Sequence, residues 1–186
     1  HGLISINKEA SMQLQYAYLL KNSIDLITYE GDERITIELE TGVIINGSPK
    51  NIDIVLIIEK GNKSTAIPIE LKCYRNRSAS GKLRGAQDLF KMNVYEDLML
   101  LESYSTNLNT LHGVQLTMTD ARNYVFPKSK VAKSWDYDIS QGHSIEGPIL
   151  ITTPIGGKEV RIELNNNYQF RWNDINNYYF LKIIRE

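Results

Sequence analysis

The chain has 186 residues, of which 23% are charged and 42% hydrophobic, and its formal net charge is −1. These values are typical of one globular domain and argue against a disordered chain. The single cysteine, Cys73, excludes an internal disulfide, and the three histidines lack the spacing of a Cys/His zinc site. No apolar run reaches the ~20 residues of a membrane span, and no segment is typical of a signal peptide, so we expect a cytoplasmic protein.

The first part of the chain predicts one helix followed by three strands. Apolar residues recur at helical spacing over 7–21. Alternating and continuous apolar runs then predict strands over 34–40, 51–59 and 65–73. Because turn-forming residues at 61–63 separate the last two strands, we expect these strands to form a hairpin.

The rest of the chain predicts a long helix over 83–104, a strand over 113–119 and short strands in the tail. One side of the helix carries an apolar stripe. A turn of ~100° per residue gathers a polar strip on the other side, made of Arg84, Gln87, Asp88, Lys91 and Tyr95. We therefore predict one mixed α+β or α/β domain over 3–186, with a β-rich extension over 121–186 that joins the main sheet or forms a small second one.

Three ionisable residues fall on neighbouring strands of the predicted hairpin. Asp53 interrupts an apolar strand, where an unpaired carboxylate would be costly. Glu70 and Lys72 lie two positions apart and therefore share one face of the next strand. If Asp53 uses the same face, two carboxylates and an ammonium converge, which suits a hard cation such as Mg²⁺ beside a group that orients water. The alternative is a surface ion pair of Glu70 with Lys72 and a turn cap at Asp53.

The arrangement of Asp53 and Glu70-Leu71-Lys72 resembles the PD-(D/E)XK phosphodiesterase superfamily, which includes type II restriction enzymes, archaeal Holliday-junction resolvases and RecB-type nuclease domains. The predicted order of elements over 5–120 is similar to the restriction-endonuclease-like core of that family, a central mixed sheet flanked by helices. The resemblance implies that Asp53, Glu70 and the carbonyl oxygen of Leu71 bind Mg²⁺, with Mn²⁺ as a possible substitute. It also implies that Lys72 positions the attacking water.

The resemblance leaves the additional acid of the site open. Many family members supply it from the first helix, where Glu9 matches, and others supply it from the first strand, where Glu38 and Glu40 compete. Glu40 is favoured over Glu38 if the acid lies near the end of the strand. The chain departs from the family pattern at Ile52, where the family name has proline. Pro68 within the third strand is expected to mark a bulge that redirects Glu70.

The helix after the motif departs from the family as well. Several members carry glutamine followed four residues later by tyrosine, whereas Gln87 is followed by Lys91, and the nearest tyrosine is Tyr95. Basic residues between 72 and 91 are expected to contact a nucleic-acid backbone. The candidate contacts are Arg75, Arg77, Lys82, Arg84, Gln87 and Lys91.

These observations predict a metal-dependent nuclease that hydrolyses phosphodiester bonds, with DNA as the expected substrate and a restriction or repair role. A homodimer is possible, because cleavage of both strands often needs two sites. The alternative is a catalytically inactive module with the same fold that binds nucleic acid or a protein partner.

Overall fold

The computed structural model describes residues 5–28, 30–78, 81–82, 84–85, 87–108 and 110–185, without the side chains of Gln87 and Asn107. Within these ranges the fold is mixed α+β, with a six-stranded mixed sheet and few helices. None of the helices in the described ranges is long and apolar enough to cross a membrane.

Two long helices flank the sheet, and two short ones follow them in the chain. The long helices are α1, Glu9–Ile27, and α2, Gln87–Asn107. The short ones are α3, Arg122–Val125, and a 3₁₀ helix, Lys133–Tyr137. The strands are β1 (Glu33–Ile45), β2 (Ser48–Lys60), β3 (Lys63–Tyr74), β4 (Val114–Thr119), β5 (Ser144–Ile145), β6 (Ile149–Ile151), β7 (Ile162–Leu164), β8 (Tyr168–Gln169), β9 (Trp172–Ile175) and β10 (Tyr178–Ile184).

The six-stranded sheet has the order β1-β2-β3-β4-β10-β9, and β3 pairs with β4 in parallel while the other pairs are antiparallel. The predicted order of helix, three strands, helix and strand is confirmed. The tail extends this sheet through β9 and β10 and also forms the two-stranded pairs β5–β8 and β6–β7. β1 and β2 extend beyond the predicted strands because they form a long hairpin through the turn at Asn46-Gly47, where both residues have positive φ.

The two faces of the sheet pack against different helices. Met12 of α1 packs with Ile54, Ile69 and Leu71 on one face. The opposite face of β3 meets α2, and the C-terminal extension covers the far side of that helix through residues such as Phe170.

This coverage corrects the predicted polar strip of α2. Lys91 is 2% exposed and Tyr95 is 1% exposed, because elements of the extension lie against them. The Lys91 ammonium donates to the hydroxyl of Ser134, and the Tyr95 hydroxyl donates to the carbonyl of Asp138. Helix α2 is therefore buried on two sides, and these two residues do not belong to a solvated surface.

β2 and β3 separate at the predicted site. Their pairing continues without interruption through Val55 and Pro68 and ends at Ile54 with Ile69, where β3 begins to pair with β4 at Val114. Beyond this point the first half of β2 stays with β1. The bulge predicted at Pro68 is therefore absent from this register, and the gap beside β3 arises because β2 turns away from it.

Candidate functional site

Asp53 lies at the point where β2 separates from β3. Its Oδ2 accepts a hydrogen bond from the backbone N–H of Leu71 at 2.7 Å, so the carboxylate replaces the strand partner that β3 has lost. Its carboxyl group also shares a hydrogen bond with that of Glu70. Burial raises the pKa of Asp53, and the Leu71 N–H opposes the rise by stabilising the charged form.

Glu70 points from β3 towards α2 and is 4% exposed. Its Oε1 accepts a hydrogen bond from the hydroxyl of Tyr104 at 2.8 Å. Burial, together with the nearby carboxylates of Asp97 and Asp53, raises the pKa of Glu70 to about 9. Glu70 is therefore protonated at neutral pH unless another cation enters the site.

The Lys72 ammonium lies among acidic groups. Its Nζ is 3.2 Å from Asp97 Oδ1 and 3.5 Å from Glu9 Oε2, and it donates to the carbonyl oxygen of Leu71 at 3.0 Å. Burial alone would lower the pKa of Lys72, but the carboxylates, with Asp97 and Glu9 foremost, outweigh burial and raise it. Lys72 therefore stays charged and acts as a hydrogen-bond donor.

Asp97 of α2 belongs to the site and was missed by the sequence analysis. It is 4% exposed, and its Oδ2 has no hydrogen-bond partner among the described residues. Burial raises its pKa to about 7. A signal was present in the sequence, because Asp97 falls beside Val94 and Leu98 within the apolar stripe of α2, where a carboxylate needs a partner.

The candidates for the additional acid occupy different places. Glu9 reaches Lys72 and also accepts a hydrogen bond from the backbone of Cys73. Glu40 is exposed and accepts from the Gln13 amide at 2.7 Å, and the same amide donates to the carbonyl of Asp53. Glu9 is therefore in contact with the catalytic lysine candidate, whereas Glu40 is linked to the site through Gln13.

Glu38 is also exposed, and its Oε2 accepts from the hydroxyl of Thr41 at 3.3 Å. Thr41 lies on the same strand as Glu38, so this contact does not link Glu38 to Asp53, Glu70 or Lys72.

The basic residues expected to contact nucleic acid differ in exposure and in their partners. Arg75 pairs with Asp120 at 2.8 Å, and Arg84 donates to the backbone carbonyl of Asn7 at 2.6 Å. Arg77 and Lys82 are exposed. The predicted contacts of Arg77 and Lys82 thus remain accessible, while Arg75 and Arg84 also hold the chain before α1.

Lys91 and Gln87 differ from the other members of that predicted set. Lys91 is buried and lies 3.6 Å from the centre of the Trp135 ring, so its predicted backbone contact is contradicted by its position. The Gln87 side chain lies outside the described part of the structure.

Among the described residues, the site holds more acidic groups than basic ones. Asp53, Glu70, Asp97 and Glu9 surround the single ammonium of Lys72, and all four carboxyl groups have raised pKa values that burial causes. The donors are oxygen atoms, which Mg²⁺ prefers, and Asp97 Oδ2 is buried with no hydrogen-bond partner in the part of the chain that the structure describes. The charge and donor chemistry fit a hard divalent cation. In the described ranges, however, no three acidic, histidine or cysteine side chains are grouped so that they could hold a metal ion together.

Comparison with known proteins identifies no relative. No family model, no curated protein and no solved structure matches the chain.

Proposed function

We propose that the protein is a Mg²⁺-dependent nuclease that hydrolyses phosphodiester bonds, with DNA as its main substrate and a restriction-endonuclease-like core as its framework. One observation carries this proposal: Asp53, Glu70 and Lys72 converge where β2 separates from β3. The convergence is unusual for a structural role, because burying so many acids costs free energy that apolar residues would not.

Asp53, Glu70 and the carbonyl oxygen of Leu71 would hold the cation. Asp97 Oδ2, which has no hydrogen-bond partner among the described residues, offers one more oxygen. Mg²⁺ would supply Lewis-acid polarisation of the phosphate and acidify the attacking water. Oxygen donors of this kind also accept Mn²⁺.

Lys72 orients the attacking water and stabilises the negative charge that develops on the phosphate. It can do both because its ammonium is held by Asp97 and Glu9 and stays protonated. In the reaction, the water oxygen forms a bond to phosphorus and the bond from phosphorus to the leaving oxygen breaks. The water loses a proton and the leaving oxygen gains one, so the products are a phosphomonoester and an alcohol.

A second candidate keeps the fold without the activity, as a module that binds nucleic acid or a protein partner. The observation in its favour is that Lys72 already donates to the Leu71 carbonyl, which is the expected metal ligand. An ammonium in that place partly satisfies the acids without a metal ion.

Cleavage of DNA and RNA with Mg²⁺ or Mn²⁺ tests the first candidate. Asp53→Asn and Glu70→Gln are expected to lower cleavage at least ~100-fold, which is the scale of losing one charged catalytic group. Glu59→Gln is the matched control, because Glu59 is exposed at the far end of β2. Cleavage that survives both site variants at the control level rules out the proposed site.

A further inference from the structure

A cleft opens beside the site on the α2 face of the sheet. It has a volume of about 410 Å³ and lies between the β1–β2 turn and α2. Lys72 and Asp97 line it, so the ammonium that is proposed to orient water is reached from this cleft. The cleft exists because β2 turns away from β3 and carries the turn with it.

Polar groups line both walls of this cleft. The end of the β1–β2 hairpin contributes Asn46, Ser48 and Lys50, which are all exposed, and α2 contributes Asn93 and Ser103. The described lining contains no aromatic ring. Such a wall offers charge and hydrogen bonds to a backbone but no surface on which bases stack.

The cleft continues along α2 towards the end of the chain. A second cavity of about 540 Å³ shares Asn46, Met99 and Ser103 with it and reaches Arg185. From Asp97 to Ser105 the path follows α2 for ~12 Å, at 1.5 Å per residue. The two cavities therefore form one elongated groove.

The acids near the second cavity already have partners. The Glu102 carboxylate accepts from the backbone N–H groups of Asn165 and Asn166 and from the hydroxyl of Tyr168. Glu163 lies 3.5 Å from Arg161. Arg185 is exposed, and it adds a cation at this end of the groove.

We propose that this groove binds one nucleic-acid strand through its sugar–phosphate backbone, and that Lys50 contacts a phosphate next to the scissile one. The inference rests on the proposed function, because that function places the reacting phosphate beside Lys72. Volumes of about 410 and 540 Å³ fall in the range of sites that enclose small-molecule ligands, and walls on both sides leave room for one strand rather than a duplex.

The charges of the first cavity add a condition. Lys50 and Lys72 balance Glu96 and Asp97, so the cavity alone does not attract a polyanion. A divalent cation bound beside Lys72 adds positive charge and so shifts this balance in favour of a polyanion. Binding of the strand is therefore expected to depend on a divalent cation.

Fluorescence anisotropy tests the inference, with and without Mg²⁺, on a labelled single-stranded DNA that carries methylenephosphonate linkages. These linkages resist cleavage and keep both non-bridging oxygens, which Mg²⁺ prefers over sulfur. Lys50→Ala is expected to weaken binding ~5–10-fold in Mg²⁺ and to reduce the salt slope by about 1, which is the signature of one lost phosphate contact. The matched control is Lys63→Ala, because Lys63 is exposed at the opposite end of the β2–β3 region. The control is expected to bind like the wild type.

Three results would overturn the inference: equal affinity of Lys50→Ala and Lys63→Ala, equally tight Lys50-dependent binding of a duplex, or binding that is indifferent to Mg²⁺. Each of these three results is a binding measurement, so none of them depends on whether the protein cleaves DNA. Lys50-dependent binding by a wild-type protein that cleaves no ordinary DNA or RNA would instead contradict the nuclease proposal and support the groove as a binding site.

Discussion

The backbone N–H of Leu71 donates to the Asp53 carboxylate at 2.7 Å, at the point where β3 loses its pairing with β2. Asp53 therefore has two roles: its carboxylate accepts the hydrogen bond of a backbone N–H that β3 would otherwise leave unpaired, and it takes part in the proposed chemistry. The two roles can be separated by substitution. An amide in place of the carboxylate still offers an oxygen that accepts the Leu71 hydrogen bond, but it lacks the negative charge that a metal ion needs.

Substitutions at Asp53 are expected to separate these roles. Asp53→Ala leaves the Leu71 N–H without its acceptor and should cost ~1–2 kcal/mol of unfolding free energy, a fall in Tm of ~3–8 °C. Asp53→Asn should stay within ~2 °C of the wild type and still lose cleavage. Thermal unfolding by circular dichroism, measured beside the cleavage assay, checks both. A stable Asp53→Ala protein would contradict the structural role of the hydrogen bond.

The stability of the metal-free protein is expected to fall as pH rises. Burial raises the pKa of Glu70 from 4.5 to about 9 and that of Asp97 from 3.8 to about 7. When the pH lies between the unfolded and the folded pKa of either group, the folded state therefore binds more protons than the unfolded state. The stabilisation is complete below about pH 4 for these two groups and is lost as pH approaches 9. Urea unfolding in a chelator at pH 5 and pH 8 measures this difference.

A matched variant tests the source of that slope. Glu70→Gln removes the carboxyl group that titrates across most of the interval, so its stability should change less between pH 5 and pH 8 than that of the wild type. Glu59→Gln should retain the wild-type slope because Glu59 is exposed. Equal slopes for Glu70→Gln and the wild type would show that Glu70 is not the responsible group.

Divalent cations are expected to stabilise the protein more at pH 8 than at pH 5. At high pH a cation replaces fewer protons on Glu70 and Asp97, whereas at low pH it must displace them. At ~100 times the dissociation constant, Mg²⁺ should add ~2.7 kcal/mol, or ~5–10 °C in Tm. A thermal shift that is the same at both pH values, or is kept by Asp53→Asn, would argue against a cation held by these acids.

Lys91→Met tests the corrected position of Lys91. The ammonium is buried against Ser134 and Trp135, and burial lowers its pKa to about 8. An apolar side chain of similar length should therefore keep stability within ~1 kcal/mol of the wild type. Affinity for the labelled strand should stay within ~2-fold, in contrast to Lys50→Ala. A strong loss of affinity would restore the predicted backbone contact.

Much of the fold could be predicted from local patterns. The apolar periodicity of α1, β2 and β3 is strong, and a short turn between two strands fixes them as neighbours. That adjacency is why Asp53, Glu70 and Lys72 could be placed together from sequence. The separation of β2 from β3 could not be foreseen, because it depends on the pairing of β3 with β4, which lies about forty residues further along the chain.

The errors on α2 have a physical cause. A helical pattern shows which residues share one side of a helix, but it does not show which later segments will cover that side. Lys91 and Tyr95 were therefore predicted to lie on a polar surface, whereas the C-terminal extension buries them. The role of Asp97 in the site could not be predicted for the same reason. Its place in an apolar stripe was visible, but its partner Lys72 comes from a different element.

Calorimetric titration of Mg²⁺ into the wild type and Lys72→Ala, followed by cleavage of DNA with the same samples, separates metal binding from catalysis at the proposed site. Both proteins are expected to bind Mg²⁺, because Asp53, Glu70 and Asp97 remain, and only the wild type is expected to cleave. Failure of the wild type to bind Mg²⁺, or cleavage by Lys72→Ala at the wild-type rate, would contradict the proposed nuclease site.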